Sequence, residues 1–429
     1  MRKYRKIISG FMIGVMLAGC LSGCGKHVGQ NTENQTEVKN LMTDIEKEVP
    51  PVDETGEMTD EERNLAMADF SLKLLKESVD ADTNVLLSPT SIIYALAMTA
   101  NGAEGETKKQ LETLFGMDMD ELNAYLYSYM ENIAASEKGK LLLANAIWFS
   151  TEKDVHIKED FLQTNKNWYD AEIYETSFDA DAVNEINEWV SEHTDGMIPE
   201  IIEKLSPDII MCLINALSFE AEWMDIYTED NIRDGTFTNS KGENKTVQMM
   251  HSEEYSYIED TNACGFIKKY EDGNYAFAAI LPDEGITLEE YIEGLDGKKL
   301  RELITNPKEA AVHAAMPKFE TEYSAKLGEV LKKLGVTDAF SAELADFSGI
   351  GTLDNPNENI VISEVLHKTK ITVDEKGTKA GAATAVMLER ATAVEEIKNI
   401  TLDRPFLYMI IDCTDNQPVF IGTLNDVEK

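Results

Sequence analysis

Apolar residues recur at helical spacing through much of the first half of the chain. One such face consists of Leu65, Ala68, Phe70, Leu72 and Leu75. This spacing predicts a helix from near Thr59, where Glu62 three residues later completes a capping-box pattern. The same spacing predicts further helices at about 90–99, 107–116, 121–135, 161–169, 182–193 and 323–334.

Continuous apolar runs predict the buried strands. Leu141–Phe149 and Ile209–Phe219 are apolar and bounded by polar turns. Further strands are predicted at 246–250, 276–281, 311–317, 369–373, 406–411 and 419–424. Helices come first and strands mostly follow, without a βαβ rhythm or an internal repeat. This order predicts an α+β fold with large mixed or antiparallel sheets.

The N-terminus has the pattern of a secretory signal. Residues 2–6 carry four basic side chains, and residues 7–18 are apolar but too few to span a bilayer. The segment ends in Leu-Ala-Gly-Cys at 17–20, which resembles the lipobox of bacterial lipoproteins. We therefore predict a signal peptide at 1–19 and lipid attachment at Cys20. Attachment at Cys24, or an ordinary cleaved signal, is the alternative.

Residues 20–57 are predicted to form a lipidated, flexible tether, because their apolar residues are sparse and aperiodic. The folded domain is then 58–429. This arrangement predicts a location on the extracellular face of a bacterial cell membrane, or a shed or secreted form.

The charge balance excludes several partners. The chain has 39 basic and 79 acidic residues and a formal charge of −40, which becomes −44 if residues 1–19 are removed. Such a chain is repelled by nucleic acids and by anionic headgroups. We therefore expect no nucleic-acid partner, and membrane attachment through lipid rather than charge.

The sequence contains no common catalytic or nucleotide-binding motif. The six histidines are scattered, and Cys212, Cys264 and Cys413 stand alone, as inert thiols do. We expect no catalytic residue, metal or cofactor, and thus a protein that is not an enzyme.

An unusual segment follows Gly377. Alternate positions are small or apolar and uncharged: Thr378, Ala380, Ala382, Thr384, Val386 and Leu388. Charged residues such as Lys379 and Glu389 fall on the other face. A segment with this two-residue period can lie exposed as a loop or enter a sheet as a strand. A flexible linker of small residues is the alternative.

A series of motifs over about residues 60–429 resembles the serpins, the serine protease inhibitor family. They are NVLLSPTSI (84–92), TANGA (99–103) with ET (106–107), INEWV (186–190) with TDGMI (194–198), NALSFEAEW (215–223), MPKF (316–319), HK (367–368), DEKGT (374–378) and RPFL (404–407).

The resemblance implies the serpin fold, with about nine helices, three β-sheets including a large five-stranded central sheet, and an exposed reactive-centre loop at about 375–399. It also implies a suicide inhibitor. A target serine protease forms a covalent acyl complex with the loop, which inserts as a new central strand and traps the enzyme. A monomer is expected. Heparin binding is not expected, because residues 107–135 carry mixed charge without a basic stripe.

The resemblance also assigns residues to the loop. Its hinge would contain Glu375, Gly377, Thr378, Ala380, Ala382, Ala383 and Thr384. The cleaved bond would be Ala391-Thr392, with Arg390-Ala391 as the alternative and Val394 as a weaker third choice. Alanine suits the small pocket of an elastase-like protease, whereas arginine suits a trypsin-like one.

Two further groups are implied beneath the central sheet. Ser88, Ser91 and Asn215 would form the "shutter", and Trp223, His367 and Lys368 would lie near the "breach", where the loop enters. Buried, hydrogen-bonded core is the other interpretation of these residues. Competing functions are inhibition of trypsin-like or cysteine proteases, and a non-inhibitory serpin acting as a binding protein.

Overall fold

The helices form where the sequence places helical apolar faces. A computed structural model describes residues 38–50, 58–134, 140–206, 208–271, 273–378 and 397–427. The α-helices within these ranges are α1 (Asp60–Ser78), α2 (Pro89–Ala100), α3 (Gly105–Phe115), α4 (Met119–Ala134), α5 (Glu159–Tyr169), α6 (Ala180–His193), α7 (Leu288–Glu293), α8 (Gly297–Thr305) and α9 (Gly328–Lys333). The predicted capping box at Thr59 and Glu62 begins α1.

The strands of the described ranges are β1 (Lys39–Asn40), β2 (Val85–Leu87), β3 (Lys140–Ser150), β4 (Val155–Ile157), β5 (Glu172–Thr176), β6 (Met211–Glu222), β7 (Ile232–Thr238), β8 (Asn244–Glu259), β9 (Ala263–Lys269), β10 (Tyr275–Pro282), β11 (Lys308–Pro317), β12 (Phe319–Lys326), β13 (Gly351–Leu353), β14 (Ile362–Val373), β15 (Gly377–Thr378), β16 (Lys398–Thr401), β17 (Phe406–Asp412) and β18 (Gln417–Leu424). The predicted α+β class is confirmed.

Three sheets organise the described strands. The central sheet has the order β1-β5-β3-β6-β15-β14-β12, in which β1 and β15 are only two residues long. The back sheet has the order β16-β11-β8-β9-β10-β17-β18-β2, with β7 paired to β8, and a small sheet joins β13 to β4. The five longer strands of the central sheet match the five-stranded sheet that the serpin resemblance implies.

A parallel pairing lies in the middle of the central sheet. Over Met211–Ser218 and Ile362–Lys370, β6 and β14 pair directly and in parallel, and we call this pairing the central seam. On its outer sides, β3 pairs antiparallel with β6, and β12 pairs antiparallel with β14.

The strand β6 is buried on both faces, which explains its continuous apolar run. Ile214 and Ala216 pack in a cluster with Val190 of α6 on one face. Leu217 and Phe219 pack on the other face with residues of the back sheet. The central sheet is therefore covered by α6 in front and by the back sheet behind.

The helix predicted at Tyr323–Leu334 is wrong over its first half. Tyr323 belongs to β12, which pairs with β14 along its whole length, and helix α9 is confined to Gly328–Lys333. The alternating burial of Phe319 and Thr321 is the pattern of a half-buried strand. Beyond it, Leu327, Val330, Leu331 and Leu334 have true helical spacing and pack in or against the main core.

The flexible tether predicted over 20–57 is wrong for residues 38–50, which we call the N-terminal strap. Its strand β1 pairs with β5, and the side chain of Met42 is only 5% exposed within the main core. Apolar contacts and edge-strand hydrogen bonds hold the strap against the sheet. Cys20 and Cys24 lie outside the described residues, so lipid attachment stays a prediction.

Candidate functional site

A tight turn follows the end of β14 and returns the chain to the central sheet. Asp374 Oδ1 accepts hydrogen bonds from the backbone N–H groups of Lys376 (2.8 Å) and Gly377 (3.2 Å). Strand β15 then begins at Gly377, antiparallel to both β14 and β6. We call residues 374–378 the hinge segment. It stands where β6 and β14 both end, and we call this the upper end of the central seam.

The first two residues of β15 fit closely between their neighbours. A Cβ atom at Gly377 would lie 2.1 Å from the carbonyl oxygen of Ala221, so this position requires glycine. Thr378 is fully buried, and its hydroxyl lies 2.7 Å from the phenol oxygen of Tyr270. The structure therefore places these two predicted hinge residues inside the sheet.

Residues 223–227, which we call the clasp, hold three successive carbonyl groups of the hinge segment. The indole Nε1 of Trp223 donates to the Asp374 carbonyl, and its backbone N–H donates to that of Lys376, both at 2.8 Å. The backbone N–H of Tyr227 donates to the Glu375 carbonyl at 2.8 Å. Trp223, predicted near the loop entrance, thus contacts the hinge directly.

An ion pair closes the outer side of the turn. Glu375 Oε2 lies 2.7 Å from Lys318 Nζ, and both side chains are partly exposed. The hydrogen bond from Lys318 lowers the pKa of Glu375 below its usual value. This pair joins the hinge segment to the link between β11 and β12.

Under the central seam lies a buried polar cluster. Its members are Ser88, Ser91, Asn145, Asn215 and His367. Asn215 of β6 donates to Asn145 of β3 at 2.7 Å and contacts Ser91 of α2 and the imidazole of His367 of β14. The structure therefore brings the three predicted shutter residues together and ties α2 to three strands.

The resemblance places His367 and Lys368 together with Trp223 near the loop entrance, but in the structure their side chains lie on opposite faces of β14. His367 faces inward to Asn215, and its ring nitrogen Nε2 accepts a hydrogen bond from Ser88 N at 3.3 Å. Lys368 faces outward and pairs with Glu322 at 2.8 Å. Successive residues of a strand point to opposite faces, so the two cannot share one site.

Burial controls the protonation of His367. The ring is almost completely removed from solvent, and desolvation lowers its pKa to about 3. The imidazole is therefore neutral at physiological pH. A neutral ring can accept from one neighbour and donate to the other within the polar cluster.

A carboxylate holds α6 against the central sheet. Glu172 of β5 accepts hydrogen bonds from Trp189 Nε1 (2.7 Å), His193 Nε2 (3.1 Å) and the hydroxyl of Tyr174. The His193 hydrogen bond lowers the pKa of Glu172 to about 2 and raises the pKa of His193. The pair is a charged clamp between the helix and the strand it covers.

Several predicted positions lie outside the described residues. They are Ala380, Ala382, Ala383, Thr384, Arg390, Ala391, Thr392 and Val394. Within the described ranges there is no group of three or more His, Cys, Asp or Glu side chains that could hold a metal ion. In that same part of the chain, no helix is long and apolar enough to cross a membrane.

Sequence reasoning missed four residues of this site: Asn145, Tyr227, Tyr270 and Lys268, whose Nζ lies 4.7 Å from the ring centroid of Tyr227. The alternation of β9 offered a signal, because Phe266, Lys268 and Tyr270 occupy one face of the chain and all three are buried. A lysine between two buried aromatic residues on one face marks an enclosed charge.

Comparisons with known proteins agree with this geometry. A family model described as serpin (serine protease inhibitor) matches residues 65–427. An uncharacterized serpin-like protein of Thermococcus kodakarensis is 34% identical, with 84% of each chain covered. The leukocyte elastase inhibitor of Equus caballus is 31% identical over 84% of this chain and 98% of its own.

Among solved structures, the thermophilic serpin tengpin in the native state is 44% identical and superposes with a TM-score of 0.85, covering 91% of this chain and 100% of its own. Tengpin in the latent state gives a TM-score of 0.76 at 43% identity, covering 87% and 100%. The described fold is thus more similar to the native form.

Proposed function

The chain belongs to the serpin family, and on this premise we propose that it is a suicide inhibitor of serine proteases. A target protease would attack the loop beyond Thr378 and form an acyl-enzyme. Loop insertion would then compete with hydrolysis of that ester. The inhibitor is consumed in the reaction and performs no turnover.

The observation that carries this proposal is the position of β15. Gly377 and Thr378 already pair with β6 and β14 at the upper end of the central seam. Below them the seam is closed by direct pairing of those two strands. A loop that continued downward from Thr378 would separate the seam and become a full-length strand.

The sequence beyond Thr378 supports such an insertion. Because side chains alternate along a strand, Ala380, Ala382 and Thr384 would follow Thr378 on the same buried face. None of them is large or charged. An inserted strand would gain on the order of ten backbone hydrogen bonds, each contributing roughly 1 kcal/mol net.

We propose an elastase-like target, with cleavage between Ala391 and Thr392. The small side chain of Ala391 supports this choice, and so does the similarity to leukocyte elastase inhibitors of several animals. Cleavage after Arg390 would favour a trypsin-like enzyme instead. Cysteine proteases form the other target class to be tested.

We also propose display on a bacterial cell surface through a lipid at Cys20. The basic start, the short apolar run and the lipobox-like end of residues 1–20 support this location. Expression of the full chain in a bacterium should place it in the membrane fraction, and Cys20→Ala should release it. Retention that survives Cys20→Ala but not Cys24→Ala would move the anchor to Cys24.

The inhibitory function is tested by incubating the protein with elastase, trypsin and a papain-like protease. An SDS-stable complex should form with elastase, and mass spectrometry of the released peptide should identify the cleaved bond. Elastase inactivated beforehand at its catalytic serine is the control and should give no complex. Cleavage by every protease without a complex, and without a gain in thermal stability, would favour a non-inhibitory binding protein.

A further inference from the structure

A lysine is buried behind the clasp. Lys268 lies in β9, and its side chain is only 2% exposed. Its Nζ lies 2.9 Å from Glu254 Oε1, and the hydroxyl of Ser252 donates to the same oxygen at 2.7 Å. Removing a charge from water is costly, so a buried lysine needs such a partner.

The same ammonium contacts both ends of the clasp. Nζ of Lys268 lies 4.7 Å from the ring centroid of Tyr227 and 5.5 Å from that of Trp223. Cation–ring attraction is strongest where the cation is desolvated, as it is here. Tyr270 stacks on the Trp223 ring with a centroid distance of 4.4 Å, so the indole is also packed against a second aromatic ring.

These contacts converge on the turn from which insertion starts. Trp223 and Tyr227 supply the three hydrogen bonds to the carbonyls of residues 374–376. One donor, Trp223 Nε1, is on a ring, so a shift of the indole moves it directly. The other two donors are the backbone N–H groups of the two residues whose rings contact the cation. The position of one buried cation therefore bears on the geometry of the whole hinge segment.

We propose that Lys268 is a positioning residue for loop insertion, acting through Trp223 and Tyr227. The inference rests on the proposed inhibitory function. By fixing the clasp, the cation keeps the hinge turn formed before a protease arrives, so the entropy of forming that turn is lost beforehand. Insertion then starts sooner after cleavage and competes better with hydrolysis of the acyl-enzyme.

The test compares Lys268→Met with Lys269→Met, which removes the neighbouring exposed lysine on the opposite face. In Lys268→Met we expect the number of inhibitor molecules consumed per protease inactivated to rise about threefold or more, as loss of a desolvated cation–ring contact implies. The rate of the first cleavage should not change, and Lys269→Met should behave as wild type. An unchanged stoichiometry in Lys268→Met overturns the proposal.

A double variant separates positioning from fold stability. Lys268→Met with Glu254→Gln removes both charges, so it avoids an unpaired buried carboxylate and should regain most of any lost stability. The cation remains absent, so the raised stoichiometry should persist. A double variant with wild-type stoichiometry would mean that Lys268 only neutralises Glu254, and the proposal would be overturned.

Hydrogen exchange gives a readout that needs no protease. In the full-length protein, amides in the peptide covering residues 223–227 should exchange faster in Lys268→Met and in the double variant than in Lys269→Met. Unchanged exchange there overturns the positioning role. The two variants could also show faster exchange while the wild-type protein traps no protease. That result would support the positioning role and contradict only the inhibitory function.

Discussion

The hydroxyl of Thr378 meets the phenol oxygen of Tyr270 at 2.7 Å, with both side chains enclosed between the two large sheets. The first side chain of the loop to enter the central sheet, after Gly377, is therefore already in a dry, hydrogen-bonded site. Whatever follows it down the seam must be compatible with the same kind of environment.

Replacing Thr378 by arginine should convert the inhibitor into a substrate. A guanidinium in this enclosed site would be desolvated, at a cost of several kcal/mol unless it is paired. We expect elastase to cleave Thr378→Arg without forming an SDS-stable complex. Thr378→Val keeps the shape and loses one hydrogen bond, about 1 kcal/mol, and should still form the complex. Equal complex formation by Thr378→Arg and wild type would show that insertion does not pass through this site.

Ala391→Arg should shift inhibition from elastase to trypsin, because an arginine at the cleaved position needs an acidic pocket. The measurement is the rate of complex formation with each enzyme, together with the mass of the released peptide, which should start at Thr392. Arg390→Ala is the control and should leave elastase inhibition intact. Two results would instead place the cleaved bond after Arg390. The wild-type protein would inhibit trypsin and release a peptide that starts at Ala391, and Arg390→Ala would lose that inhibition.

The clamp between Glu172 and His193 should give a pH window of added stability. The pKa of Glu172 is lowered to about 2, so its contribution is full above about 4.5 and is lost as pH falls toward 2. The pKa of His193 is raised above 6.5, so its contribution is full below 6.5 and is lost as pH rises through the raised value.

The difference in unfolding free energy between wild type and His193→Gln should therefore be largest between pH 4.5 and 6.5. We expect about 0.5–1 kcal/mol, because both side chains are partly exposed and screened. Urea unfolding across pH measures it. His156→Gln, in an exposed pair with Asp354, is the control. A difference that does not vary with pH would show that attraction between the charged forms of Glu172 and His193 does not contribute to stability.

The central seam should weaken in acid through His367. Burial lowers the pKa of this ring to about 3, so its contribution to stability is full above about 6.5 and declines as pH falls toward 3. In this range the unfolded chain binds a proton that the folded protein excludes, so the free energy of unfolding falls as the pH falls.

His367→Gln removes that titration and keeps a side chain able to reach Asn215. Its unfolding free energy should fall less steeply between pH 6.5 and 3 than that of wild type. Asn215 and His367 meet across the seam, so protonation of the ring should also ease separation of β6 and β14. The rate at which the protein loses inhibitory activity without a protease should therefore depend less on pH in His367→Gln than in wild type. If the free energy of unfolding falls equally with pH in the two proteins, protonation of His367 does not destabilise the folded state, and the prediction is wrong.

The N-terminal strap should contribute to stability mainly through Met42. Truncation of a buried methionine to alanine leaves a cavity, and Met42→Ala should lower the free energy of unfolding by about 2–3 kcal/mol. Lys47→Ala, in the same strap but in an exposed ion pair with Asp170, should change it by less than about 0.5 kcal/mol. Equal small effects in both variants would show that the strap detaches readily.

Sequence patterns predicted the elements whose own residues specify both their conformation and their burial. The run Ile209–Phe219 and the capping box at Thr59 are such cases, because local spacing and burial agree there. Tyr323 was misplaced because apolar residues on both sides of Leu327 can be joined into one helical face. Only pairing with β14, a non-local contact, decides that Phe319–Lys326 is a strand.

The site shows the same limit. Gly377 and Thr378 could be singled out because their small size is visible in the sequence. The pairing of Lys268 with Glu254, and its contact with Trp223, joins two strands of the back sheet to the residue that follows β6. The family resemblance assigned His367 and Lys368 to one place, although strand geometry sends their side chains to opposite faces.

The direction of the strands at the central seam has a consequence of its own. The two neighbours β6 and β14 run parallel, and parallel pairing is slightly less stable per residue than antiparallel pairing. A strand growing downward from Thr378 would run against both of them, as β15 already does. One parallel contact would be exchanged for two antiparallel ones. Strand polarity thus favours acceptance of a sixth long strand by this sheet. Under the proposed function, the active molecule would therefore persist through slow kinetics rather than through reaching its lowest free energy.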